Sequence, residues 1–146
     1  MHLLIALGQA SERCEGFDLD ESVDRAVGLV VDAEFDRALE VTEEAISLLD
    51  CLEQVVDAED LATLWQVRAA AGHDGGYPEI VAPSMRQAVA VNPTWFNERL
   101  GGDVRVLWVE AGGHVDEPAQ ILAWPIPDGG VLYVDGRAFE EQPALV

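Results

Sequence analysis

The strongest constraint on the fold of this chain is a helical spacing of apolar residues inside its most acidic stretch. From Glu40 to Asp60 the sequence contains eight carboxylates and no basic residue. Apolar residues recur there at intervals of three or four, which is the period of one helix face. They are Ala45, Leu49, Leu52 and Val56. Thr42 followed by two glutamates is typical of a helix N-terminus, so we expect a helix that begins near Thr42.

Further helices are predicted on both sides of this one. Asp20 or Ser22 can cap a helix over "SVDRAVGLVV", although the β-branched valines also permit a strand over residues 27 to 31. Asp57 can cap the segment "LATLWQVRAAA", and Gly72 follows as a C-terminal stop. The helical region is therefore predicted to extend from about residue 20 to residue 72.

The C-terminal part has the pattern of β-strands. Three apolar segments, separated by turns rich in glycine and proline, cover residues 103 to 111, 119 to 126 and 130 to 135. In that order they predict a three-stranded antiparallel meander over about residues 103 to 135. The expected fold class is α+β, with the helical N-terminal half packed on the meander and residues 1 to 146 forming a single domain. Trp108 and Trp124 lie in neighbouring predicted strands, where they could pair across the sheet.

The two cysteines, Cys14 and Cys51, do not have the spacing of a metal-binding motif. They permit one disulfide, but the N-terminal stretch lacks the positively charged region of a secretory signal. Its apolar run, Leu3 to Leu7, is shorter than the roughly 20 residues that a membrane-spanning helix needs. We therefore expect a cytoplasmic protein with reduced cysteines and no membrane segment.

No residue pattern in the sequence predicts a catalytic, cofactor or metal site. His73 with Asp74, and His114 with Asp116, lie in glycine-rich stretches where a metal or acid-base site could form. Nothing in their spacing predicts that the two stretches meet. The sequence also lacks phosphate-loop and nucleophile motifs. We expect no cofactor, and the alternative is a halophile-type acidic cytosolic protein that acts as a small enzyme or metal binder through the loops of His73 and His114.

The formal net charge is −20, from 28 acidic residues and eight arginines. An exposed helix is normally stabilised by acid-base pairs four residues apart, each worth about 0.2 to 0.5 kcal/mol. No basic residue lies between Arg37 and Arg68, so the acidic stretch cannot form such pairs internally. A high-salt habitat is one explanation, because salt screens the repulsion within an acidic protein. An acidic surface that binds a basic one is the other.

The function predicted from these features is that of a non-enzymatic acidic binding or inhibitor protein that occupies a basic groove of a protein partner. Carboxylates in rows along helices can replace the phosphates that a nucleic-acid-binding protein neutralises. The expected partner is therefore a nuclease or another nucleic-acid-binding protein, and the expected class is a nucleic-acid mimic, an anti-defence or immunity protein or an antitoxin, of phage or mobile-element type. Direct binding of nucleic acid is not expected. The predicted contact residues are Glu40, Glu43, Glu44, Asp50, Glu53, Asp57, Glu59 and Asp60.

A subunit of a larger assembly, including a homo-oligomer, is a further alternative. The first predicted strand, residues 103 to 111, is apolar on both faces between its charged ends, except at Arg105. A strand of that kind is expected to pack on two layers, one of which another chain would supply.

Overall fold

The computed structural model of the protein describes residues 13–52, 55–115, 132–134 and 137–139. Five α-helices lie entirely within these ranges: α1 (Leu19–Val31), α2 (Phe35–Ser47), α3 (Ala58–Gly75), α4 (Pro78–Val91) and α5 (Gly102–Glu110). Two short 3₁₀ helices, Leu49–Cys51 and Glu98–Leu100, follow α2 and precede α5. Strands β1 (Leu132–Val134) and β2 (Arg137–Phe139) pair antiparallel, with Leu132 opposite Phe139.

The predicted α+β fold with a three-stranded meander is wrong, because the described residues are mainly helical. Residues 103 to 111, predicted as the first strand, fall almost entirely within α5. Residues 119 to 126 lie outside the described residues, and Leu132–Val134 pairs with Arg137–Phe139 instead of joining a meander. A continuous apolar run fits the two-residue period of a strand as well as the 3.6-residue period of a helix. The helix is favoured here because Val104 and Trp108, four residues apart, are both buried.

The acidic helix begins and ends earlier than predicted. Phe35 is its first residue and Ser47 its last, so Thr42 lies inside α2 instead of capping it. The buried Thr42 hydroxyl donates a hydrogen bond of 2.9 Å to the carbonyl oxygen of Leu39, a local bond that a helix interior permits. The four predicted core residues do face the core, but only Ala45 does so from α2.

Aspartates cap α1 and α3. The side chain of Asp18 accepts a hydrogen bond of 3.1 Å from the backbone N–H of Glu21, so α1 is capped by Asp18 and not by Asp20 or Ser22. Asp57 caps α3 as predicted and accepts from the N–H groups of Glu59 and Asp60 at 2.7 and 3.4 Å. These bonds satisfy backbone donors that have no partner within the helix.

Gly72 does not end α3, which continues to Gly75 and stops at the left-handed Gly76 (φ 87°). A Cβ atom at Gly72 would lie 2.6 Å from Cγ1 of Ile80, because α4 folds back closely against α3 at this point. The glycine that the sequence marks as a stop is therefore needed for helix packing.

The helices α1, α2 and α3 pack against one another, and α4 packs along α3. The C-terminal end of α3 lies beside the start of α2, where Gly75 approaches Phe35 and the hydroxyl of Tyr77 donates to Asp36 at 3.0 Å. The helix α2 therefore runs antiparallel to α3. The largest fully buried side chains of the core are Trp108, Leu64, Met85, Gln66, Val27, Val67, Val104 and Thr42.

A disulfide joins Cys14 to Cys51, with a Cα–Cα distance of 5.4 Å. It ties the segment before α1 to the 3₁₀ helix after α2. The expectation of reduced cysteines, which followed from the missing charged region of a secretory signal, is therefore wrong for this pair, whose members are 37 positions apart. The antiparallel return of α2 along α1 brings them together.

Candidate functional site

The residues predicted to contact a partner do not form a row along one helix. Glu40, Glu43 and Glu44 lie on α2, Asp50 lies in the following 3₁₀ helix, Asp57 caps α3, and Glu59 and Asp60 occupy its first turn. Glu53 lies outside the described residues. The candidate surface is therefore assembled from several elements, and its shape depends on how the helices pack.

These elements meet at one end of the three-helix unit. The N-termini of α1 and α3 lie side by side there, since the charges of Asp20 and Asp24 act on Asp60. The C-terminal part of α2 reaches the same end, where Glu44 and Glu21 line one depression. We call this region the acidic end and define it by Asp20, Asp24, Glu43, Glu44, Asp50, Asp57, Glu59 and Asp60. Glu40, one turn before Glu44 on α2, lies at its margin.

Sequence reasoning missed Asp20 and Asp24 as members of this surface. The available signal was their spacing of four residues, which places two exposed carboxylates on one face of α1. That signal alone does not show which other helix they face. Only the parallel alignment of α1 with α3 brings them near Asp60.

Part of the acidity at this end stabilises the helices locally. Asp18 and Asp57 cap α1 and α3, and the first turns contain further acids, among them Asp20 and Glu59. A carboxylate near a helix N-terminus typically contributes about 0.3 to 1 kcal/mol through the helix dipole. The net charge of the acidic stretch therefore has a structural reason as well as a functional interpretation.

The pKa of Asp60 shows that the effects disfavouring an ionised carboxylate outweigh the stabilisation it receives from the helix N-terminus. Partial burial, followed by the charges of Asp20, Asp57, Glu59 and Asp24, raises the pKa of Asp60 to about 6 from an ordinary 3.8. The positive end of a helix dipole favours the ionised carboxylate and so acts in the opposite direction. Desolvation and repulsion between carboxylates therefore dominate at this position.

Two acids of this region form ion pairs with arginines distant in sequence. Arg68 of α3 lies 3.3 Å from Glu43, and Arg13 lies 3.6 Å from Asp50. Arg13 also donates a hydrogen bond of 3.4 Å to the carbonyl oxygen of Ser47 at the end of α2. Both pairs are exposed on the acid's side, so each contributes little to stability. Three exposed acids of α2 have no salt bridge among the described residues: Glu40, Glu44 and Asp36, the last of which accepts a hydrogen bond from Tyr77.

The two histidine positions that could hold a metal lie far apart. His73 is in the last turn of α3, next to the connection to α4. The backbone N–H of His114 donates to the carbonyl oxygen of Pro93, just beyond the other end of α4, at 2.9 Å. The 14 residues of α4 separate these ends by roughly 20 Å at 1.5 Å per residue. Asp116 lies outside the described residues, within which no group of His, Cys, Asp and Glu could hold a metal ion.

The tryptophan arrangement also differs from the expectation. Trp108 is 1% exposed and packs on Phe96 with ring centroids 5.5 Å apart. Trp124, its predicted cross-strand partner, lies outside the described residues. Burial of Trp108 leaves Val106 and Val109 on the outer face of α5, both more than half exposed.

Comparison with protein-family models, curated proteins and solved structures found no match to this chain. None of the helices in the described ranges combines the length and the apolar character that crossing a bilayer requires. The described residues are mainly helical and belong to a chain of net charge −20.

Proposed function

We propose that this protein is a non-enzymatic binding protein that places its acidic end in a basic groove of a protein partner. The observation that carries the proposal is the convergence of acids from α1, α2 and α3 at one end of the helical unit, where the charges of four acids add to partial burial in raising the pKa of Asp60. Acids repel one another when more of them lie close together than the helix N-termini can stabilise, and this repulsion reduces the stability of the free protein. A basic partner removes this cost by neutralising the acidic end.

The partner class we propose is a nuclease or another nucleic-acid-binding protein. Such proteins present Lys and Arg positioned to neutralise phosphates, and carboxylates held at fixed positions can take the place of those phosphates. Glu40 and Glu44 lie four residues apart on α2, which sets their Cβ atoms about 5 to 6 Å apart. The caps of α1 and α3 and the Cys14–Cys51 disulfide hold the acidic end in place before binding, which reduces the entropy lost on association.

A cytoplasmic location, predicted from the sequence, is retained in the proposal only if both cysteines are reduced in cells, in which case the helix caps alone hold the acidic end in place. The disulfide argues in the other direction, since disulfides persist mainly in oxidising compartments. Alkylation of free thiols with a mass tag in intact cells decides between a cytoplasmic and an oxidising compartment. Tagging of both Cys14 and Cys51 agrees with the cytoplasm, and protection of both contradicts it.

The binding proposal is tested with two matched charge reversals. Glu40→Arg with Glu44→Arg changes the acidic end without breaking an ion pair of the described residues. Asp74→Arg with Glu79→Arg makes the same change in net charge at the opposite end, where both side chains are exposed. The wild type and both variants are immobilised, exposed to a lysate in 0.15 M salt, and the retained proteins are identified.

We expect the wild type and the Asp74/Glu79 variant to retain the same basic protein, and the Glu40/Glu44 variant to lose it at least tenfold. Duplex DNA added in solution should release the retained protein, because it competes for the same groove. Equal retention by the two variants would place binding outside the acidic end. A partner that DNA does not displace would contradict the nucleic-acid-mimic part of the proposal. Melting curves of the three proteins provide the folding control.

A further inference from the structure

A cavity of about 600 Å³ lies between α5 and the segment that joins α4 to α5. Its walls include the aromatic side chains of Trp95, Phe96 and Trp108. We call it the α5 cavity. Its volume is within the range of small-molecule sites, and most such sites are lined by apolar and aromatic side chains with a few polar groups. It lies on elements other than those that form the acidic end.

Buried hydrogen bonds hold the aromatic wall in place. Gln66 is fully buried in α3, where its Nε2 donates to the carbonyl oxygen of Trp95 at 2.7 Å and its Oε1 accepts from the N–H of Asn97 at 3.0 Å. The indole Nε1 of Trp95 donates to Thr63 Oγ1 at 2.9 Å. A non-helical segment fixed by three bonds to one helix presents its side chains in a defined geometry.

The charge of this wall differs from that of the rest of the molecule. Arg99 and Arg105 line the cavity against a single acid, Glu98. Three other cavities of the described surface have at least as many acids as arginines in their walls. The guanidinium of Arg105 lies 5.9 Å from the centre of the Phe96 ring and pairs with Glu98. A net positive, aromatic cavity in a protein of charge −20 is suited to a ligand that is both aromatic and anionic.

Trp108, one residue of the cavity wall, has a polar group without a partner in the described part of the chain. The Nε1–H of Trp108 is buried and has no hydrogen-bond acceptor among the described residues. The ring packs so closely on Gly113 that a Cβ there would lie 2.1 Å from it, which fixes the position of the indole. Buried donors are almost always paired in folded proteins, and an unpaired one calls for a missing water or ligand.

We propose that the α5 cavity binds a small aromatic carboxylate. The ring of the ligand packs against Trp95 and Phe96, and its carboxylate pairs with Arg99 at the rim. The indole of Trp108 packs on Phe96 in the same wall, so its N–H signal reports a ligand bound there. This binding activity is independent of the proposed partner of the acidic end.

The probe for this site is 2-naphthoate, with 2-naphthalenemethanol as its neutral control. Binding to the wild type is followed by calorimetry and by the indole N–H signals in nitrogen-15 NMR spectra. Arg99→Gln removes the exposed rim charge, and Trp108→Phe removes the unpaired donor while keeping a ring against Phe96. Arg86→Gln is the matched control, since Arg86 is an exposed arginine that lines a different cavity.

We expect saturable binding of 2-naphthoate that shifts the Trp108 signal more than that of Trp65. Arg99→Gln should weaken binding roughly tenfold or more, as loss of a hydrogen bond to a charged group does. Arg86→Gln should leave it unchanged, and the neutral alcohol should bind at least tenfold more weakly. Failure of 2-naphthoate to bind a folded wild type, equal binding of the alcohol, or equal effects of the two arginine variants would overturn the proposal. If Trp108→Phe does not fold, Arg99→Gln and the alcohol still decide.

Discussion

Removal of the disulfide should destabilise the protein more than any contact near it suggests. Cys14 and Cys51 close a loop with a sequence separation of 37. On the chain-entropy model a 15-residue loop contributes about 3 kcal/mol and a 100-residue loop about 4.7 kcal/mol, so this loop contributes about 3.8 kcal/mol. That is a large part of the 5 to 15 kcal/mol typical of a folded domain. The neighbouring pair of Arg13 with Asp50 is exposed and adds at most about 1 kcal/mol.

Urea unfolding of the wild type, with and without a reductant, measures this contribution. We expect the midpoint to fall on reduction, and the melting temperature to drop by roughly 10 °C at this chain length. The double substitution Cys14→Ala with Cys51→Ala should match the reduced protein, and the reductant should have no effect on it. A loss below about 1 kcal/mol would refute the reasoning, because it would mean that the ends of the loop are held together equally well without the bond.

Three further predictions concern packing, protonation and salt. Gly72→Ala should destabilise the protein by about 1 to 3 kcal/mol in urea unfolding, because its Cβ meets Ile80 and the α3–α4 contact must open. The Cβ added by Gly28→Ala in α1 lies within 4 Å of no other atom, so this variant should instead stabilise the protein by about 0.5 to 1 kcal/mol. A change of the same sign in both variants would contradict this account. The folded protein binds the Asp60 proton more tightly than the unfolded chain, so stability should rise as the pH falls through about 6 and level off below 3.8. Asp60→Asn should be more stable than the wild type at pH 7 and should lose this rise, and an unchanged pH profile would show that other groups cause it. The melting temperature in KCl should increase up to a few tenths molar and then level off, since exposed charges are largely screened by then. A continued increase to 3 M would favour the habitat explanation of the charge and remove the main support for the acidic end as a binding surface.

The helices of the first half could be predicted where cap and period agree. Asp57 before an apolar run has only one good interpretation, and the structure confirms the cap. Thr42 permits two interpretations. A threonine followed by acids is typical of a helix N-terminus, but it also occurs inside a helix, where its hydroxyl donates to a carbonyl of the preceding turn. The strand prediction over residues 103 to 111, which form most of α5, was wrong for another reason. A run of valines with a leucine and a tryptophan satisfies both periods, and only the burial of Trp108 against Phe96 decides between them.

The composition of the acidic end could be predicted, but its arrangement could not. Six of its eight members came from charge density alone. Their neutralising partners are distant in sequence, since Arg68 is 25 residues from Glu43 and Arg13 still further from Asp50. The approach of Asp20 to Asp60 likewise depends on two helices that a third one separates along the chain. The α5 cavity was missed because its two arginines are unremarkable until the fold places them beside three aromatic rings.

The acids of this protein therefore divide into two groups with different physical origins. Caps such as Asp18 and Asp57 are explained by the helices that they begin, in any solvent and without any partner. Asp60, Glu40 and Glu44 are not, because crowding acts against the folded state at Asp60 and no described arginine forms a salt bridge with Glu40 or Glu44. A high-salt habitat would relieve this repulsion everywhere on the surface, whereas a basic partner would relieve it at one end only. Comparing the salt dependence of Asp60→Asn with that of Asp74→Asn distinguishes the two. A gain in stability confined to the Asp60 variant and reduced by moderate salt would locate the repulsion at the acidic end, where the proposed partner binds.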